Sequence, residues 1–230
     1  KSWTTLSASP ISRDKNWPKP NEMSKKQINN LIKSFKKTAL RAKRINFDCL
    51  EIHMAHGYLL HQFFSPLSNV RTDDYGGSFK NRSKLLIEVT KEIRKIWPKN
   101  RILGARITGS DHMKNGLSIK DAVRLAKNLK KVGVDYVSVS SGGIVPVTKM
   151  NEQEGFRSKM ASIIKKESKI TTTTSGMFTK HSTVVKLIND KKIDFITIAR
   201  IIIKNPRWIY ELAKKEKLNS FVPDQYKRIL

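Results

Sequence analysis

The chain has 230 residues, 46 of them Lys or Arg against 19 Asp or Glu, and a formal net charge of +27. This length supports one sizeable hydrophobic core or two small ones, and 38% hydrophobic residues with no apolar run of about 18 exclude wholesale disorder and a membrane-spanning helix. The single cysteine, Cys49, excludes an internal disulfide framework and any multi-cysteine metal site within the chain, so a reducing cytoplasm is the expected compartment.

Residues Lys1 to Pro10 carry no initiator Met, signal pattern or cleavage site and read as a cut rather than a targeting segment. Ser24-x-x-Gln27 has capping-box spacing and opens a helix to Ile45 whose apolar face is Ile28, Leu31, Ile32, Phe35, Ala39 and Ala42. A strand over Cys49 to His53 follows, then a polar loop from Gly57 to Ser78. A helix marked by Leu85, Leu86, Val89, Ile93 and Ile96 comes next and ends at Pro98. The alternation then repeats as strand Ile102 to Ile107, helix Ile119 to Val132, strand Tyr136 to Val139 and helix Lys159 to Lys166. It closes with strand Lys169 to Thr174, helix Ser182 to Asn189, strand Phe195 to Ile198 and a helix beginning at Pro206.

Five strand-then-helix units with apolar or β-branched strands, not cleanly alternating, predict a parallel sheet covered by helices. The C-terminal ends of the strands carry His53, Arg106, Ser140, Ser175 with Gly176, and Arg200, which matches the active face of a (β/α)8 barrel. The expected fold is therefore an α/β, partial TIM barrel in a single domain over residues 1–230. Five strands cannot close such a barrel, so about three units are expected on the N-terminal side.

A charge of +27 raises the expectation of a polyanionic partner. The lysines, however, occur as scattered pairs such as Lys25-Lys26, Lys36-Lys37 and Lys130-Lys131 on polar helix faces, without interleaved aromatics. A solvated surface is favoured over a nucleic-acid-binding module, which stays as the non-enzyme alternative.

The densest chemical constellation is His53-Met54-Ala55-His56-Gly57-Tyr58. Two imidazoles three residues apart can offer two donors to one oxygen, and a phenol with a reference pKa of about 10 can donate a proton at neutral pH. A metal pair is the competing reading. His-x-x-His without the HExxH arrangement is a weak zinc signal, and no metal is expected.

His53-x-x-His56-Gly57-Tyr58-Leu59-Leu60, Phe64-Ser65-Pro66-Leu67-Ser68-Asn69 and Arg71-Thr72-Asp73-Asp74-Tyr75-Gly76-Gly77-Ser78-x-x-Asn81-Arg82 together resemble the Old Yellow Enzyme family of FMN-dependent ene-reductases, closest to its YqjM-like, thermophilic-like class. The resemblance implies an FMN-binding TIM barrel with strands four to eight in this chain and strands one to three upstream of Lys1. It implies that His53 and His56 grip the carbonyl or nitro oxygen of an activated alkene, that hydride leaves the flavin N5 for the β-carbon, and that Tyr58 protonates the α-carbon. Arg106 matches an arginine beside the flavin's pyrimidine edge. Ser140-Ser141-Gly142-Gly143, Ser175-Gly176-Met177 and Ala199-Arg200 match the phosphate-binding loops.

NAD(P)H is the implied reductant, without a Rossmann fingerprint. Arg228, in the tail Pro223 to Arg228, matches an arginine that reaches the neighbouring subunit's active site, which implies a homodimer or homotetramer. Three positions depart from the family pattern: Ala199 replaces a glycine, Asn46 replaces a glycine, and Arg157 stands where glutamine is common. The dienoyl-CoA reductase branch of the same flavin family is the second enzymatic reading, set behind because its iron–sulfur cluster needs cysteines that this chain lacks.

Overall fold

The computed structural model describes residues 3–146, 150, 152–218 and 223–229. The N-terminal segment contributes a two-stranded parallel ribbon, β1 (Leu6–Ser7) with β2 (Asn21–Glu22). Helix α1 (Lys25–Arg44) starts where the sequence predicts. Ser24 accepts the Gln27 N–H, and the Gln27 side chain accepts the Ser24 N–H in return. Just past the helix, Asn46 takes a φ of +60°, a left-handed conformation that Gly and then Asn tolerate best, which explains asparagine at this position.

Strand β3 (Cys49–Met54) leads into α2 (Leu59–Phe64) and α3 (Phe79–Ile96), followed by β4 (Ile102–Thr108), α4 (Ile119–Lys131), β5 (Tyr136–Ser140) and α5 (Ser158–Ser168). Then come β6 (Thr171–Thr174), α6 (His181–Asn189), β7 (Phe195–Ile196), α7 (Arg200–Lys204) and α8 (Trp208–Lys215). A 3-10 turn spans Asp224–Ile229.

Four local expectations change. The predicted loop from Gly57 contains α2, whose six residues are too few to show a helical period. Strand β6 starts two residues late because Lys169 caps α5 at a φ of +55°. Strand β7 stops at Ile196, and α7 follows within four residues. The last helix starts after Pro206, since the Asn205 side chain accepts the Arg207 N–H (3.0 Å) and wraps Pro206 into a turn.

All five long-range strands are parallel and neighbour one another in chain order, β3-β4-β5-β6-β7, with helices in the crossovers. The sheet alternates more cleanly than its sequence suggests. Ile52, Met54, Leu103, Ala105, Ile107, Val137 and Val139 point to one face and are buried with Leu85, Leu86, Val89, Leu125 and Ile164 from the helices. The opposite face carries two cross-strand rows, Glu51–Gly104–Tyr136–Thr171 and His53–Arg106–Ser138–Thr173–Phe195, set by the register. Among the described residues no helix is long and apolar enough to cross a membrane.

The first row shows how the register constrains composition. Tyr136 on β5 lays its ring across Gly104 on β4 and donates its hydroxyl to Glu51 on β3 (2.9 Å). A Cβ at Gly104 would meet that ring at 2.2 Å. Cys49 is half-buried, with its sulfur 3.9 Å from the same hydroxyl. Gly104→Ala is expected to destabilise the fold by about 1–3 kcal/mol through overpacking. Adding Tyr136→Ala should make the glycine substitution nearly neutral. Urea unfolding of the four members of this cycle measures the coupling, and additive losses would place the cost outside this contact.

Candidate active site

The C-terminal ends of the strands gather the residues singled out in the sequence. His53 stands on β3 opposite Arg106 of β4. The turn after β3 brings His56 and Tyr58 back over His53. The His53 ring centroid lies 5.1 Å from the rings of both His56 and Tyr58, edge-on in each case. Tyr58 is 62% exposed, so its hydroxyl is open to a bound molecule. His56 Nε2 is 2.6 Å from the hydroxyl of buried Ser140, which ties the ring to the end of β5.

Burial, the positive charge of Arg106, then His53 and Arg157, hold the His56 imidazole down to about 4. Burial and then Arg106 also lower His53. Both rings are therefore neutral at pH 7.

The backbone of this turn is built for close approach. His56 and Gly57 have φ values of +60° and +75°. A Cβ on Gly57 would fall 2.1 Å from the Gly143 carbonyl oxygen, so the β3 and β5 loops touch through glycine.

Arg106 is half-buried, and its Nε is a buried donor with no partner among the described residues. Ser141 is buried and accepts from Arg157 Nε (3.0 Å), while Arg157 Nη1 lies 3.4 Å from Ser175 Oγ. Burial lowers the Arg157 guanidinium, Glu152 opposes this, and the charges of Arg106 and Arg200 add to the lowering. Three cations thus converge on the strand ends, and among the described residues none of the three forms an ion pair within 4.0 Å.

Backbone groups in the expected anion-binding loops are engaged within the protein. The Gly142 N–H is already committed to the Ser110 carbonyl (2.9 Å), so it is not a free donor. A Cβ on Gly176 would sit 3.2 Å from Gly155 Cα, and the Gly176 carbonyl accepts the Gly155 N–H. Ala199 and Arg200 are exposed at the start of α7 rather than in an open loop, with Arg200 turned towards Met177. Arg228 is exposed on the C-terminal 3-10 turn, where Tyr226 packs 6.2 Å from Tyr210 of α8.

Beside His56 and Tyr58 opens a cavity of about 490 Å³, walled by Leu6, Ile11 and Trp17 of the N-terminal segment and by Ile144. A larger cleft of about 790 Å³ lies on the outer surface between α3 and α4, lined by Lys80, Lys84, Arg124 and Lys127, and holds none of the predicted site residues. Sequence reasoning missed His61, Asp111 and His112 behind and beside the turn. Only His61 left a signal, as a lone histidine among Leu59, Leu60, Phe63 and Phe64.

Residues 5–219 match the family described as NADH:flavin oxidoreductase / NADH oxidase. The chain is 38% identical over 223 residues to an NADPH dehydrogenase of Geobacillus thermodenitrificans, covering 97% of this chain and 65% of that protein. It is 34% identical over 224 residues to an NADPH dehydrogenase of Clostridium acetobutylicum, covering 97% and 66%. Among solved structures it resembles a 2-naphthoyl-CoA reductase (TM-score 0.86, 23% identity, 92% of this chain and 33% of that one) and morphinone reductase (TM-score 0.73, 23% identity, 92% and 61%).

The five parallel units are thus the fold of a TIM-barrel flavoenzyme, in part. The chain belongs to the NADH:flavin oxidoreductase / NADH oxidase family and spans about 65% of the length of the curated relatives it matches.

Because His56 titrates at about 4 when folded, against an ordinary value near 6.5, the unfolded chain binds more protons between these values. Folding stability is therefore expected to fall as pH drops from about 6.5 towards 4. An NMR titration of the His56 ring, with melting temperature followed over the same range, checks this. A midpoint near 6.5 would contradict it.

Proposed function

We propose that the protein, at its natural full length, is an FMN-dependent, NAD(P)H-driven reductase of activated alkenes, α,β-unsaturated carbonyl or nitro compounds. The observation that carries this reading is the cluster of His53, His56 and Tyr58, with His53 in register with Arg106. Family membership and relatives named NADPH dehydrogenase support the flavin and the nicotinamide reductant.

The donor set suits FMN. The unpartnered Nε of Arg106 and the cations Arg157 and Arg200, none of them ion-paired among the described residues, fit an anionic cofactor with a phosphate. Arg106, Ser140, Ser141, Gly176, Ala199 and Arg200 are the residues proposed around it. Gly142 contributes shape rather than an amide, since its N–H is used within the protein. Bound FMN supplies the hydride.

The chain's own residues do the rest. Neutral His53 and His56 each offer one N–H to the substrate oxygen. When the Ser140 hydroxyl donates to His56 Nε2, the ring proton lies on Nδ1 and is free for that oxygen. Drawing electron density to the oxygen makes the β-carbon electrophilic, and Tyr58 gives its hydroxyl proton to the α-carbon. The cavity beside Tyr58 admits the rest of a small substrate against Trp17 and Ile144.

In the full-length protein, Tyr58→Phe is expected to slow alkene reduction by about 10²-fold or more, as loss of a general acid does, while flavin reduction by NAD(P)H persists. Replacing both histidines should weaken substrate binding with FMN retained. Stopped-flow absorbance separates the two half-reactions, and an unchanged alkene step in Tyr58→Phe would remove Tyr58 from the mechanism.

We further propose a homodimer or homotetramer in which Arg228 reaches the neighbouring active site. Deleting residues 226–230 should then raise the Michaelis constant and loosen the assembly. Unaltered kinetics with the assembly intact, by sedimentation, would return Arg228 to an ordinary surface charge.

A further inference from the structure

Behind the turn that carries His56 and Tyr58 lies a buried hydrogen-bonded pair that the proposed chemistry leaves unused. His61 of α2 and Asp111 of the loop after β4 are both fully buried, with Nε2 2.9 Å from Oδ1. The second Asp111 oxygen accepts the Ser65 hydroxyl (2.7 Å) and the Leu117 N–H (2.8 Å). Burial pushes this carboxyl up, but the hydrogen bonds from His61, the Leu117 N–H and the Ser65 hydroxyl outweigh it and leave the group below its ordinary value. Donors on both of its oxygens leave the carboxylate as acceptor throughout.

The other side of the ring defines the tautomer. Gly57 N–H points at His61 Nδ1 (2.8 Å), so Nδ1 must present a lone pair and Nε2 must carry the proton given to Asp111. The Gly57 carbonyl is held as well, by Gln62 Nε2 (2.7 Å). Two side chains of α2 thus grip both ends of one residue. That residue and His56 before it are both left-handed, a conformation that a non-glycine residue such as His56 keeps only when its surroundings impose it.

We infer that His61, fixed in the Nε2–H tautomer by Asp111, is the positioning residue that aims His56 and Tyr58 at the substrate through the Gly57 peptide. This rests on the proposed role of His56 and Tyr58, but the tautomer does not. His61 touches no substrate in this scheme. Its contribution is to convert the fixed negative charge of Asp111 into an acceptor at Nδ1, where a protonated nitrogen would face the Gly57 N–H and push the turn away.

The pair makes distinguishable demands on its replacements. His61→Gln can keep both roles, with Oε1 accepting from Gly57 and Nε2 donating to Asp111. His61→Phe fills the space but leaves the Gly57 N–H without an acceptor. Asp111→Asn puts a donor where only acceptors fit, and drives the imidazole towards the other tautomer.

The test uses the full-length protein loaded with FMN, with histidine labelled in ¹⁵N. Two-bond N–H spectra at pH 7 are expected to show His61 as the neutral Nε2–H tautomer in the wild type. Binding of 4-hydroxybenzaldehyde, a phenol whose oxygen can accept from the same two imidazoles, is measured by calorimetry. It should weaken about tenfold or more in His61→Phe and Asp111→Asn and stay close to wild type in His61→Gln, with FMN affinity unchanged in all three.

A wild-type His61 protonated at Nδ1 would overturn the inference. So would probe binding in folded His61→Phe equal to that of the wild type. If wild-type protein binds FMN but not the probe, the reading of His53 and His56 fails instead, while the tautomer still decides the state of His61. Should His61→Phe not fold, the wild-type tautomer and the Asp111→Asn and His61→Gln binding data carry the decision.

Discussion

The parallel register of β3, β4, β5 and β6 places His53, Arg106, Ser138 and Thr173 side by side, and the site is built on that row. Side chains alternate faces along a strand, so a slip of one residue would send His53 into the apolar layer and Ile52 or Met54 to the functional side. Burying Ile52, Met54, Leu103, Ile107 and Val137 against the helices holds the register, and each such side chain is worth about 1.5–3 kcal/mol when fully removed from water. The polar row is thus positioned by the hydrophobic row behind it. Glycine at Gly104 then lets Tyr136 cross β4 and join Glu51.

Loops above the strands depend on a second set of contacts, made by side chains to backbone. Arg71 is buried and donates to the Ala8 and Met23 carbonyls (3.0 and 2.8 Å) while holding Asp73 (2.7 Å). Asn69 donates to the carbonyls of Phe63 and Tyr75 (2.6 and 2.8 Å). These residues belong to the polar stretch from Gly57 to Ser78 that reads as a loop. Arg71 thereby fastens the N-terminal segment, with Leu6, Ile11 and Trp17, beside Tyr58 as a wall of the cavity. A buried carbonyl left without a donor costs about 1–3 kcal/mol, so the loop is as constrained as the core.

Electrostatics divides the site into two parts. The His53–His56–Tyr58 end is kept neutral, because burial and Arg106 oppose protonation of both imidazoles. The end formed by Arg106, Arg157 and Arg200 accumulates positive charge, and burial with mutual repulsion lowers even the Arg157 guanidinium. Neutral hydrogen-bond donors suit a carbonyl or nitro oxygen, and fixed cations suit an anion. Arg157 adds to the cationic end and is held through Ser141 rather than through a carboxylate.

From the sequence by itself came the order of strands and helices, the apolar faces of α1, α3 and α4, the capping box at Ser24, and the strand-end placement of His53, Arg106 and Ser140. These are local or periodic properties, written in the spacing of residues along one element. The motif around His56 also carried the family resemblance, over a contiguous stretch. Tertiary structure alone decided that α2 is a helix, that Gly142 has spent its N–H on Ser110, and that Asp111, 50 positions from His61, sits behind the turn of His56 and Tyr58. Each of these rests on partners distant in the chain. A six-residue helix is below the length at which period speaks, an amide's partner depends on a loop from another strand, and a buried carboxylate leaves no pattern in its own neighbourhood. Such contacts exist only once the packed sheet has brought the strand ends together.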